Sequence, residues 1–197
     1  CHLNGMAMKD GKPKYATAFN TDNTVQSWRE NITETGVLID IEENKIIVDN
    51  LAMPHTPRIF KDELYLLLSA TSELIKVNTQ NGTYEVILKT EGFLRGMSLY
   101  NDYLFIGLSK LRKNSSTFSK LPFAEKANEA GILVVHLPTK SIAGKISYLT
   151  SLDEIYDIHI LGNKRRPNIL NTITQDHKDG LMIPGTTFWK KEQKESN

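Results

Sequence analysis

The amino-acid sequence predicts an all-β, β-propeller-like fold of about three four-stranded blades followed by part of a fourth. Three observations carry that expectation. Short apolar strands joined by Asx-rich turns recur as hairpins, the hairpins come in pairs, and the pattern of His55 returns at Arg95, forty residues on. A β-sandwich would share the first feature but has no reason to repeat paired hairpins at a blade-like period.

The first unit begins with Asn4-Gly5-Met6-Ala7-Met8, turns at Lys9-Asp10-Gly11 and continues through Tyr15 to Phe19. Its second hairpin runs Gly36 to Ile41, turns at Glu42-Glu43-Asn44 and returns through Lys45 to Val48. The second unit opens at His55-Thr56-Pro57-Arg58-Ile59 and turns at Lys61-Asp62 into Leu64 to Ser69; Glu73 to Val77 and Thr83 to Leu88 form its second hairpin. The third opens at Arg95-Gly96-Met97-Ser98-Leu99 and turns at Asn101-Asp102 into Leu104 to Ser109; Gly131 to Val135 and Ser141 to Ile146 complete it. Asn, Asp and Gly suit these turns because they tolerate the positive φ that tight hairpins require. Two insertions interrupt the rhythm, one between Asn20 and Thr35 containing Trp28 and Arg29, and a polar one between Lys110 and Ala130. A fourth unit starts at Glu154-Ile155-Tyr156-Asp157 and fades after Arg165-Arg166-Pro167. Residues 1–167 are therefore assigned to the repeat region and 168–197 to a polar C-terminal tail. Three blades and part of a fourth do not close a ring, and Cys1 to Ala7 already reads as the middle of a pattern. The expectation is a fragment of a larger propeller lacking its N-terminal part.

Composition narrows the function classes. Of 197 residues, 40% are hydrophobic and 24% charged, which is ordinary globular chemistry. A net charge of +1 makes no long-range field for nucleic acid or an anionic membrane, so neither is expected as a partner. No apolar run approaches the roughly 20 residues that span a bilayer. One cysteine, Cys1, allows no intrachain disulfide and suits a reducing compartment, so a soluble cytoplasmic protein is expected. Sequon triplets at Asn31, Asn81 and Asn114 carry little weight.

In a propeller the first strand of each blade lines the central channel, so its entry residues converge at one mouth. Aligning the units places Asn4, His55, Arg95 and Tyr156 at that position, with Glu154 and Asp157 competing with Tyr156 for the fourth place. His2 and Arg58 are neighbours that could share the mouth. Pro54 and Pro57 bracket His55 and stiffen its backbone. Lys110 and Arg112 end the second strand of the third unit and lead into the long insertion, where they could hold an acidic group under a lid. Arginines suit bidentate capture of carboxylate or phosphate. His2, His55 and Glu154 could instead hold a divalent metal, although no close-spaced ligand motif supports this. The competing reading is that these polar side chains merely satisfy strand ends. His136 alternates with apolar residues as an exposed-face position, and Lys164-Arg165-Arg166 is a short solvated run. No nucleophile elbow or phosphate-binding glycine loop is present, and Cys1 lacks an activating context.

Five ordered motifs, His2-Leu3-Asn4-Gly5-Met6-Ala7, Pro54-His55-Thr56-Pro57-Arg58, Arg95-Gly96-Met97, Gly107-Leu108-Ser109-Lys110-Leu111-Arg112 and Glu154-Ile155-Tyr156-Asp157, resemble a family of uncharacterised, mainly bacterial proteins. It is a conserved-hypothetical, domain-of-unknown-function family with a propeller-like repeat. The resemblance spans roughly residues 2–167 and implies that fold without an established activity. Its members are longer at the N-terminus and often carry Ser where this chain has Thr56.

The leading functional expectation is a binding module that recognises a small polar or anionic ligand, a glycan or a protein at the channel mouth. The rival is a metal-assisted hydrolase, lyase or oxygenase that uses a divalent metal as cofactor. A scaffold that uses only its flat faces is the third reading.

Overall fold

The computed structural model of the protein describes residues 1–111, 115–148, 152–165, 167, 171–183 and 186–189. Chain contacts divide it into two units, Cys1–Ile160 and Leu161–Asn197. The first unit holds three four-stranded antiparallel sheets, not closed into a barrel. One contains β1 (Leu3–Lys9), β2 (Lys12–Ala18), β3 (Gly36–Asp40) and β4 (Lys45–Leu51). The next contains β5 (Pro54–Phe60), β6 (Glu63–Leu68), β7 (Glu73–Asn78) and β8 (Thr83–Lys89). The third contains β9 (Phe93–Tyr100), β10 (Tyr103–Ser109), β11 (Ala130–His136) and β12 (Ser141–Tyr148). Each sheet is a simple up-and-down meander in chain order, the layout of a propeller blade.

Turn chemistry sets these boundaries. Asp10-Gly11 sits at φ 50° and 75°, and Lys61-Asp62 at 50° and 63°. Two successive left-handed residues make the type I′ turn whose twist matches the flanking strands. The apolar run Leu64 to Leu68 follows from burial on both faces of the middle sheet. Leu64, Leu66 and Leu68 enter the core shared with the first sheet, while Tyr65 and Leu67 enter the one shared with the third. A period of two with both faces covered gives continuous hydrophobicity instead of alternation. By contrast β12 is exposed along nearly its whole length.

Strand register shifts at matching places in the three inner strands, between Leu3 and Gly5, between His55 and Arg58, and opposite Arg95 between Ile106 and Leu108. Bulges of this kind re-aim side chains at the rim of a sheet. The inner strands are tied to one another just beside these bulges. Asn4 Nδ2 donates to the Pro54 carbonyl at 2.8 Å, Ser69 Oγ to the Leu94 carbonyl at 2.6 Å, and Ser109 Oγ to the Ile155 carbonyl at 3.1 Å. Pro54, Leu94 and Ile155 therefore hold equivalent places, so their successors His55, Arg95 and Tyr156 do too. That settles the fourth register on Tyr156. Residues 152–160 form no strand but run along the third sheet as the opening of a next unit would. Ile155 N donates back to Ser109 Oγ at 2.9 Å, and Lys110 N to the Asp153 carbonyl at 2.8 Å.

Gly96 shows how close this approach is. Its φ is 73°, its N–H donates to Thr56 Oγ1 at 2.9 Å, and a Cβ there would lie 2.4 Å from Asp157 Cα. The insertion read as polar behaves differently from expectation. Leu121, Phe123 and Ala127 join the core beside Phe93 and Leu111, so the segment is anchored by apolar side chains and is not a loose lid.

The second unit contains a 3₁₀ turn (Gln175–Lys178) and a hairpin of β13 (Gly180–Ile183) and β14 (Thr186–Trp189). The sequence assigns residues 168–197 to a polar C-terminal tail; the division by contacts lies at Ile160, with this hairpin after it.

Two substitutions gauge the ties between inner strands. Ser69→Ala leaves the buried Leu94 carbonyl without its donor and should cost about 1–3 kcal/mol in urea unfolding. Gly96→Ala should cost roughly 2 kcal/mol or more, from left-handed backbone strain and the clash with Asp157. Unchanged unfolding midpoints would show that the inner strands are held by other means.

Candidate functional site

The equivalent inner-strand positions meet at one cavity of about 430 Å³. Asn4 comes from β1, His55 from β5, Arg95 from β9, and Tyr156 and Glu154 from the opening of the fourth unit. His2 lies on the rim, and Ser109 and Lys110 arrive from the end of β10. The two insertions supply the rest: Trp28 and Arg29 from the first, Leu111 and Phe118 from the second.

One wall is a chain of rings. His2 stacks on Phe19 at 4.8 Å and 14°, Trp28 leans on both at 5.3 and 5.0 Å, and His55 meets Phe19 edge-on at 5.1 Å. Phe93 continues it, 6.2 Å from His55 and 5.5 Å from Phe118. These spacings fall in the range of favourable aromatic pairs. Phe19 occupies the place that Ser69 and Ser109 hold in the other sheets, since its N–H pairs with the His2 carbonyl as that of Ser69 does with Met53. The first sheet thus replaces a tying hydroxyl with an aromatic face, and the Asn4 side chain makes the tie instead.

Cations border the same cavity. The Arg95 guanidinium lies 4.3 Å over the Tyr156 ring, and Nη1 faces Glu154 Oε2 at 3.5 Å. That is longer than a tight charge-assisted bond. Arg95 Nε is buried with no hydrogen-bond partner among the described residues. Arg29 covers Trp28 at 5.1 Å, and Lys110 pairs with the exposed Asp153 at 2.7 Å.

Both histidines record this environment. Burial first, then repulsion from Arg95 and His2, pushes His55 down to about 3, so its imidazole is neutral at ordinary pH. His2 is also lowered, by partial desolvation, then the N-terminal ammonium, Arg29 and Arg95. Asn4 and Ser109 each spend a donor and an acceptor within the fold. Asn4 accepts from Thr17 Oγ1 at 2.5 Å while donating to Pro54, and Ser109 both donates to and accepts from Ile155.

The structure separates some residues that the sequence grouped together. Arg58 lies past the β5 bulge and does not line the cavity. It pairs with Asp157 at 2.8 Å and donates to the carbonyls of Pro57 and Met6 at 3.1 and 3.4 Å. Asp157 goes with it, away from the cavity. Arg112 falls outside the described residues. His2, His55 and Glu154 border one cavity, yet among the described residues no three His, Cys, Asp or Glu side chains are gathered closely enough to hold a metal. The fixed positive charge of Arg95 beside His55 and Glu154 gives a physical reason.

Sequence reasoning missed Phe19, Phe93 and Phe118 altogether, and noted Trp28 and Arg29 without a role. The one legible signal was Phe19, an aromatic at the strand end where the repeat otherwise places serine. A larger cleft of about 560 Å³ beside Lys9, Tyr15 and Tyr84 is less suited to a ligand, because its charged groups Lys76 and Glu63 already pair at 2.9 Å.

Burial of a neutral His55 makes stability depend on pH. Its folded value lies below its unfolded value near 6.5, so the unfolded chain binds the proton more readily. The contribution is complete above pH 6.5 and is lost as pH falls toward 3. Between pH 6.5 and 5 the loss should be about 2 kcal/mol, and His55→Gln should flatten that part of a urea-unfolding pH profile. A wild-type profile identical to the variant's would contradict the buried neutral imidazole.

Comparison with known proteins adds the family and no activity. A search of curated proteins returned no match. Among solved structures, the computationally designed Ika4 protein is similar at a TM-score of 0.49 and 9% identity, over 82% of this chain and 81% of that one. No helix among the described residues is long and apolar enough to cross a membrane. A family model described as a domain of unknown function matches residues 1–170, and the chain belongs to that family, DUF4915.

Proposed function

We propose that the chain is a binding module whose inner-strand cavity takes a small anionic ligand on Arg95. The observation that carries this reading is the state of that guanidinium. It lies on the Tyr156 ring, a Glu154 oxygen stands 3.5 Å from its Nη1, and its Nε has no acceptor among the described residues. Buried donors of this kind are costly to leave unmet, and an entering anion would supply acceptors to the rest of the fork. The lowered basicity of His2 and His55 supports the same reading, because beside burial the cations that contribute to it also favour a negative guest. A volume of about 430 Å³ falls within the usual span of small-molecule sites.

Titration with sodium acetate and with inorganic phosphate, followed by amide NMR, tests the reading. Shifts should cluster at Asn4, His55, Arg95 and Tyr156, weaken as salt rises, and fall at least tenfold in apparent affinity in Arg95→Gln. Arg58→Gln, outside the cavity, should titrate like wild type. If Arg95→Gln also titrates like wild type, the cavity is not an anion site.

A further inference from the structure

We infer that the ligand is an aromatic monoanion, an aryl carboxylate whose ring lies on the Trp28–Phe19–Phe93–Phe118 wall while its carboxylate meets Arg95. The inference rests on the anion-binding reading above and adds the nature of the ligand's body and its charge.

Charge is the first argument. Arg29, Arg95 and Lys110 border the cavity, Glu154 stands against Arg95, and Asp153 pairs with Lys110. Among the described residues these are three cations against two carboxylates, an excess of one positive charge. One carboxylate neutralises that excess, whereas a phosphate dianion would overcompensate it.

The second argument is the division of the lining. Two of its neutral polar side chains, Asn4 and Ser109, each spend a donor and an acceptor on ties within the fold. A sugar ring needs many free polar groups to meet its own hydroxyls, and groups spent on the fold serve it poorly. An arene makes no such demand. It needs an apolar surface, and the half-buried Trp28 and Phe118 offer one, backed by the buried Phe19 and Phe93.

The third is pre-organisation. Phe118 belongs to an insertion pinned by Leu121, Phe123 and Ala127, and Phe93 by the core, so the ring wall is rigid before any ligand arrives. Little ordering is required on binding, and shape selects for a flat body.

Trp28 is a built-in reporter, since only Trp28 and Trp189 occur in the chain. In a Trp189→Phe background, fluorescence titrations with sodium benzoate, sodium acetate and glucose 6-phosphate read the preference directly. Benzoate should bind at least tenfold tighter than acetate and should outcompete glucose 6-phosphate. Phe118→Leu should reduce the benzoate-to-acetate ratio several-fold, and Phe118→Ala should reduce it further. Equal affinity for benzoate and acetate, with both lost in Arg95→Gln, would overturn the aromatic assignment and leave the anion site standing. Preference for glucose 6-phosphate with the same loss would overturn it in favour of a sugar phosphate. Binding of neither carboxylate, or binding of both indifferent to Arg95→Gln, would overturn the inference together with the reading on which it rests.

Discussion

Three hydrogen bonds from side chains to backbone carbonyls set the geometry on which the rest of the structure depends. Asn4 to Pro54, Ser69 to Leu94 and Ser109 to Ile155 each join one unit to the inner strand that follows. A hydrogen bond of this kind contributes only about 1 kcal/mol net. Its larger effect is on register, because a slip of one residue would leave a buried carbonyl without a donor and turn every side chain to the other face. With register settled, bulges next to the ties aim His55, Arg95 and Tyr156 toward a common space. A cavity lined by residues far apart in the sequence therefore rests on hydroxyls and an amide that hold the units in register.

Those same ties constrain what the site can recognise. Asn4 and Ser109 line the cavity with a donor and an acceptor each already spent within the fold. Most of the rest of the lining is made of cations and aromatic rings, with Arg29 lying over Trp28. Arg95 links the two, since its guanidinium lies on Tyr156, faces Glu154 and helps lower both histidines. The apolar anchors of the second insertion then bring Phe118 against Phe93 and extend the aromatic wall to the edge of the cavity.

The architecture was legible in the sequence because its signals are local. Asp10-Gly11 and Lys61-Asp62 announce left-handed turns, and the period from His55 to Arg95 aligns the inner strands without any coordinates. Alignment alone could not choose among Glu154, Tyr156 and Asp157, because only the long-range bond from Ser109 to Ile155 tells them apart. It also drew Arg58 into the site, since a bulge that changes direction between His55 and Arg58 leaves no mark in a linear pattern. The aromatic wall was hidden for a different reason. Phe118 sits in a stretch whose composition is polar, and its burial depends on Leu121 and Phe123 reaching a core built by other units. The hairpin from Gly180 to Trp189 lies where the sequence shows little alternation.

The central claim is that Arg95, with its buried Nε, and not Arg58, is the cation poised for an anion. Arginine Nε–H groups give separate ¹⁵N–¹H resonances, so each side chain can be followed by itself. The Arg95 Nε–H signal should exchange slowly with water, as a donor sealed from solvent does, and should move on addition of benzoate while that of Arg58 stays fixed. A rapidly exchanging Arg95 signal that benzoate leaves unmoved, or a shift confined to Arg58, would contradict the account.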